Sequence, residues 1–117
     1  MSNGWIGVDL DGTLAHYDGW RGRDHIGEPI AGMVRRVQQW LAAGREVRIF
    51  TARAYRGSAS AKEHEQTLRT LEAWCVQHLG QPLPVTCTKD YGMVELWDDR
   101  AVRVTKNTGE PCCQFKD

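Results

Sequence analysis

The run Trp5-Ile6-Gly7-Val8 is apolar without interruption, and it ends in two aspartates one residue apart, Asp9 and Asp11, with Gly12-Thr13 directly behind them. A short run of this kind reads as a strand buried within a sheet, and its polar end then falls at the sheet's rim. In an extended chain alternate side chains share a face, so both carboxylates point into one pocket just past the strand, and Gly12 lets the backbone turn sharply. Two carboxylates held together in a buried site are costly unless a cation joins them or one keeps a proton. Both remedies suit phosphoryl chemistry. Mg2+ prefers carboxylate oxygens and fills its remaining positions with water and phosphate oxygens. One aspartate, ionised at pH 7 without an activating base, is a nucleophile for phosphorus, and its partner can protonate the leaving oxygen and later deprotonate water. The bland alternative is a loop in which Asp11 merely caps a turn; the apolar run before the pair and Gly-Thr after it weigh against that.

The rest of the chain alternates strand and helix patterns. Ile30, Met33, Val34, Val37, Trp40 and Leu41 recur at helical spacing, with Pro29 suited to a first turn and Gly44 to a stop, which predicts a helix over 29–43. Ser60-Ala61-Lys62-Glu63 has the form of a capping box, and Leu68, Leu71, Cys75 and Leu79 form a stripe before Gly80, which predicts a second helix over 60–79. Strands are expected at 5–10, 46–50, 84–87 and 93–97, with a short edge strand at 101–104. This alternation favours an α/β domain with a parallel sheet covered by helices on both faces. Ligands of such sheets bind beyond the carboxyl ends of the strands, where Asp9, Thr51, Lys89 and Asp98 all fall.

A chain of 117 residues buries one core without help from disulfides, so residues 1–105 are expected to form one domain and 106–117, with Gly, Pro and charge but no periodicity, a short tail. Fifteen basic and fifteen acidic residues cancel, which argues against a nucleic-acid footprint spread over the whole surface while leaving a local patch open. No apolar stretch approaches the roughly 20 residues that span a bilayer, and the N-terminus lacks a basic segment followed by an apolar one, so the expected location is cytoplasmic, with no membrane partner. Cys112 and Cys113 are adjacent, and Cys75 and Cys87 fall in a predicted helix and strand, so reduced thiols are expected. Gln114 occupies the position at which a prenylated cysteine would stand. No Cys-x-x-Cys is present, and His16, His25, His64 and His78 show no i, i+4 spacing, which argues against a zinc site.

The segment Asp9-Leu10-Asp11-Gly12-Thr13 resembles the first motif of the haloacid dehalogenase superfamily, most of whose members are phosphatases. Three later segments match its other motifs in order: Thr51-Ala52-Arg53 after Glu46-Val47-Arg48-Ile49-Phe50, Lys89 after the run from Leu83 to Thr88, and Asp98-Asp99-Arg100 after Met93-Val94-Glu95-Leu96-Trp97. The resemblance implies a three-layer α/β/α, Rossmann-like core and a phosphomonoester hydrolase working through an aspartyl phosphate. It implies Asp9 as nucleophile and Asp11 as acid, then base. Thr51 with the backbone around Leu10, Ala52 and Arg53 would hold phosphoryl oxygens, and Lys89 would neutralise charge. Asp9, Asp11, Asp98 and Asp99 would hold Mg2+, with the direct ligand between Asp98 and Asp99 left open. Structural alternatives stand beside these roles: a helix cap for Thr51, a solvated loop lysine for Lys89, turn chemistry for Asp98 and Asp99.

Members of the superfamily usually select substrates with an inserted cap domain. The segments 14–28 and 80–89 are too short to hold one, which implies a capless form with an open site suited to a large or terminally phosphorylated substrate, macromolecular or nucleotide. His16, Tyr17, Trp20, Arg21, Arg23 and His25 crowd the first segment and offer aromatic and cationic groups for a base or phosphate, while Arg53, Tyr55 and Arg56 flank the second motif. Asp98-Asp99-Arg100 also resembles the phosphatase domain of polynucleotide kinases, which act on 3′ phosphates of nucleic acids. The remaining alternative is a non-catalytic phosphate-binding or regulatory module on the same fold. Loss of Asp9 or Asp11 would point to it, and both are present.

Overall fold

The computed structural model describes residues 4–112. Strands β1 (Trp5–Val8), β2 (Glu46–Phe50), β3 (Val85–Thr86) and β4 (Met93–Trp97) form a single parallel sheet in the order β3-β2-β1-β4. Helix α1 (Ala31–Ala42) links β1 to β2, and α2 (Ala61–Leu79) links β2 to β3. The molecule is thus an α/β fold with a four-stranded parallel sheet flanked by helices. Strand β1, buried throughout, sits inside the sheet as its composition demands.

Both crossovers step in the same direction across the sheet, and right-handed connections then place both helices on one face. The core bears this out. Ile6 and Val8 of β1 and Val47 and Ile49 of β2 pack with Val37 of α1 and Leu71, Trp74, Cys75 and Leu79 of α2 in one cluster. Trp97 of β4 meets Trp40 of α1 edge-on, with ring centroids 5.0 Å apart. The expectation of helices on both faces, and with it the three-layer arrangement, is therefore corrected: among the described residues the opposite face carries no helix. A parallel return normally needs a dozen or more residues to fit a helix, and residues 87–92 are too few. They run back across that face and are pinned there by Asp90, whose Oδ1 accepts from Trp5 Nε1 at 2.8 Å. The Gly92 carbonyl accepts from Trp5 N at 2.8 Å, and the Arg48 guanidinium lies 4.4 Å over the Trp5 ring.

Helix α2 starts and stops where its sequence signals stand. The Ser60 hydroxyl accepts from Glu63 N at 3.0 Å while Glu63 Oε1 accepts from Ser60 N at 2.9 Å, and Gly80 closes the helix at φ 91°. Helix α1 differs at its start. Pro29 lies outside it, bridged to Ala15, and Ile30 is an N-cap with no side-chain bond. Residues 101–104 do not add an edge strand to the sheet. Val104 instead pairs antiparallel with Pro111 across a turn in which Asn107 and Gly109 take φ 65° and 77°, a small exposed hairpin that straddles the expected boundary at 105. The chain leaves the sheet at Asp98, whose Oδ1 accepts from Arg100 N at 2.7 Å and so turns the backbone away. Cys75 and Cys87 are free thiols, whereas Cys113 lies outside the described residues. Among the described residues no helix is long and apolar enough to cross a membrane.

Candidate active site

The strand order reverses direction at β1: the chain moves from β1 to β2 and β3 on one side and returns to β4 on the other. In open α/β sheets the crevice at such a reversal, beyond the carboxyl ends of the strands, is where ligands bind. Asp9 stands at its mouth, its N–H bonded to the Trp97 carbonyl at 2.9 Å, and Asp98 and Asp99 follow β4 on the facing side. Carboxylate oxygens of Asp9, Asp98 and Asp99 all lie within 4.8 Å of one another. The Thr13 hydroxyl joins them, 3.1 Å from Asp99 Oδ1 and 3.4 Å from Asp9 Oδ2, while accepting from Asp99 N at 3.0 Å. Gly12 makes this closeness possible. It takes φ 93°, and a Cβ there would sit 2.6 Å from Asp99 Oδ2.

Burial, the hydrogen bond with Asp99 and the charges of Asp98 and Asp99 push the Asp9 carboxyl up to about 7, against a smaller opposing effect of the Leu10 N–H. The site thus concentrates acidic groups beyond what their own hydrogen bonds balance, and three hard oxygen donors are a set that suits Mg2+.

Asp11 lies outside that cluster, although it lines the same pocket. Arg53 Nε and Nη2 donate to its two oxygens at 2.8 and 2.9 Å, a two-pronged pair in which the arginine side chain is only 5% exposed. The same Nη2 donates to the His25 carbonyl at 2.8 Å, and the guanidinium lies 4.9 Å from the Trp20 ring centroid. Arg53 therefore ties the second motif both to the first and to the loop over residues 16–28. The neck of that loop is closed by His16 N donating to the Glu28 carbonyl at 2.8 Å.

An open pocket of about 910 Å³ spans these groups. Asp9, Asp11, Thr51, Ala52, Arg53, Asp98 and Asp99 all line it. Thr51 is buried, and its hydroxyl accepts from Arg53 N at 3.2 Å as the cap of a short 3-10 turn at Ala52–Ala54, so it is a helix cap and a wall residue at once. The Leu10 side chain belongs to the core, and only its backbone reaches the carboxylates. Lys89 is exposed and does not line the pocket; from its segment the wall receives Cys87. Arg100, which is exposed, also lines the pocket and brings a second cation to it. The Asp11–Arg53 pair and the Thr13 bridge carry no sequence signal, because the partners lie 42 and 86 residues apart.

No protein-family profile matches the chain, and no curated protein matches it. One solved structure, described as that of the conserved protein coded by a locus from Bacteroides thetaiotaomicron, superposes with a TM-score of 0.53 over 85% of this chain and 78% of that one, at 16% identity. At that identity the likeness speaks for the fold alone.

Proposed function

We propose that the chain is a Mg2+-dependent phosphomonoester hydrolase of the haloacid dehalogenase type, acting through a phosphoryl group carried on Asp9. The observation that carries this reading is the convergence of Asp9, Asp98 and Asp99 at the reversal of the sheet. Asp9, Asp98 and Asp99 would hold Mg2+, which when bound supplies positive charge to phosphoryl oxygens and to the crowded carboxylates. One Asp9 oxygen attacks phosphorus, the bond from phosphorus to the leaving oxygen breaks, and Asp11 gives that oxygen a proton. Asp11 then takes a proton from water as the water attacks the phosphorus and frees Asp9. Arg53 engages both Asp11 oxygens, so Asp11 must leave that pair and turn toward the leaving oxygen, protonated, before the first transfer. On that wall the cationic role that the resemblance gives to Lys89 falls to Arg53 and Arg100.

The test is phosphate release from an aryl phosphate, with and without Mg2+, by the natural chain and by Asp9→Asn. Metal-dependent turnover that falls by ~10³-fold or more in the variant is expected, since the nucleophile is removed. Binding of inorganic phosphate by both proteins with turnover by neither favours the non-catalytic module, a reading to which the exposed Lys89 lends weight.

A further inference from the structure

Of the five tryptophans, four are used in packing: Trp5 and Trp74 are buried, and Trp40 and Trp97 are stacked edge to face. Trp20 is 60% exposed and lines the pocket. Its ring is backed by the Arg53 guanidinium, which Asp11 and the His25 carbonyl hold in place. Tyr55, 72% exposed, stands on the same pocket, and its ring rests on Gly57, where a Cβ would come within 3.1 Å of it. Tyr17, also exposed, joins them. Exposed aromatic rings are costly to keep in water, and two here are supported from behind and beside an acidic, cation-flanked cleft. A planar nucleobase stacks on such rings face to face and covers more of them than a ribose or a short alkyl group does.

Resting on the hydrolase reading, we infer that Trp20 and Tyr55 grip a nucleobase, so that the phosphomonoester carries a base next to the phosphate lodged at Asp9. The rings come from the loop over 16–28 and from the end of the 3-10 turn, two segments that line the same pocket as Asp9. Arg53 couples the two halves, since it touches both the ring that stacks and the aspartate that moves the proton. One base chemistry has two sources, a free nucleotide and a nucleic-acid end.

The experiment compares kcat/KM for nucleoside monophosphates, 3′ and 5′, with that for ribose 5-phosphate, in the natural chain and in Trp20→Ala, Tyr55→Ala and the double variant. A preference for the base of about 5- to 100-fold is expected in the natural chain, shrinking several-fold in each single variant and approaching one in the double variant. Trp20→Phe is expected to keep most of it. Oligonucleotides with a terminal phosphate form a second arm: better turnover than the mononucleotide assigns the base to a strand end, and poorer turnover to a free nucleotide. A ratio near one in the natural chain, or a ratio the double variant leaves unchanged, overturns the inference. If no phosphomonoester is turned over, the hydrolase reading falls by itself, and the same ratio is then read from calorimetric affinities for a nucleoside monophosphate and ribose 5-phosphate in Mg2+, with the same two results deciding the clamp.

Discussion

Arg53 places two hydrogen bonds on Asp11, at 2.8 and 2.9 Å, and another on a loop carbonyl, from a side chain that is almost fully enclosed. Removing one member of a sheltered pair leaves the other desolvated and unpartnered, a larger loss than the pair's net contribution. Arg53→Ala is therefore expected to lower unfolding stability by about 2–3 kcal/mol, read from urea midpoints. Arg53→Lys keeps the charge but not the fork, and about half of the loss is expected to remain. A stability change close to zero in Arg53→Ala would show that the pair is a surface contact only.

At the scale of elements, α2 carries the most explicit signal in the chain. Its reciprocal cap satisfies two N–H groups that otherwise have no partner in the helix, so Ser60→Ala is expected to cost about 1 kcal/mol, seen as a Tm lower by roughly 3–6 °C. The same kind of local information made much of the fold legible. An apolar run marked β1, short stretches rich in Val, Ile, Phe and Trp marked β2 and β4, Ser60 and Gly80 marked the ends of α2, and the polar residue after each of these strands marked the rim. What stayed hidden depends on distant pairing. The face on which a helix lies follows from strand order, and strand order follows from contacts such as that between Trp5 and Met93. The route of residues 87–92 likewise rests on Asp90 meeting Trp5, 85 residues away, so the exposed position of Lys89 could not be read from its neighbours. Asp9 and Asp98 were legible as strand-end groups; the partner that turns Asp11 aside was not.

For the molecule as a whole, Asp90 joins the returning segment to the face of the sheet opposite α1 and α2. The Trp5 indole N–H and then the Gly92 N–H, with smaller help from Arg48, hold its carboxyl below the ordinary aspartate value. A depressed carboxyl stabilises the fold above its unfolded value of about 3.9, and that contribution is lost as pH falls through the folded value. The stability gap between the natural chain and Asp90→Asn is thus expected to be full at neutral pH and to close below about pH 4. Unfolding curves taken between pH 3 and 7 check this, and a gap that stays constant with pH refutes it. Among the described residues β1 is the first strand, and the neighbour that completes its acidic cluster, β4, is the last. During synthesis at ~5–20 residues per second, Asp9 and Asp11 therefore leave the ribosome seconds before Asp98 and Asp99 exist. A nascent or truncated chain carries half of the acidic cluster, which is complete only when β1 and β4 have paired.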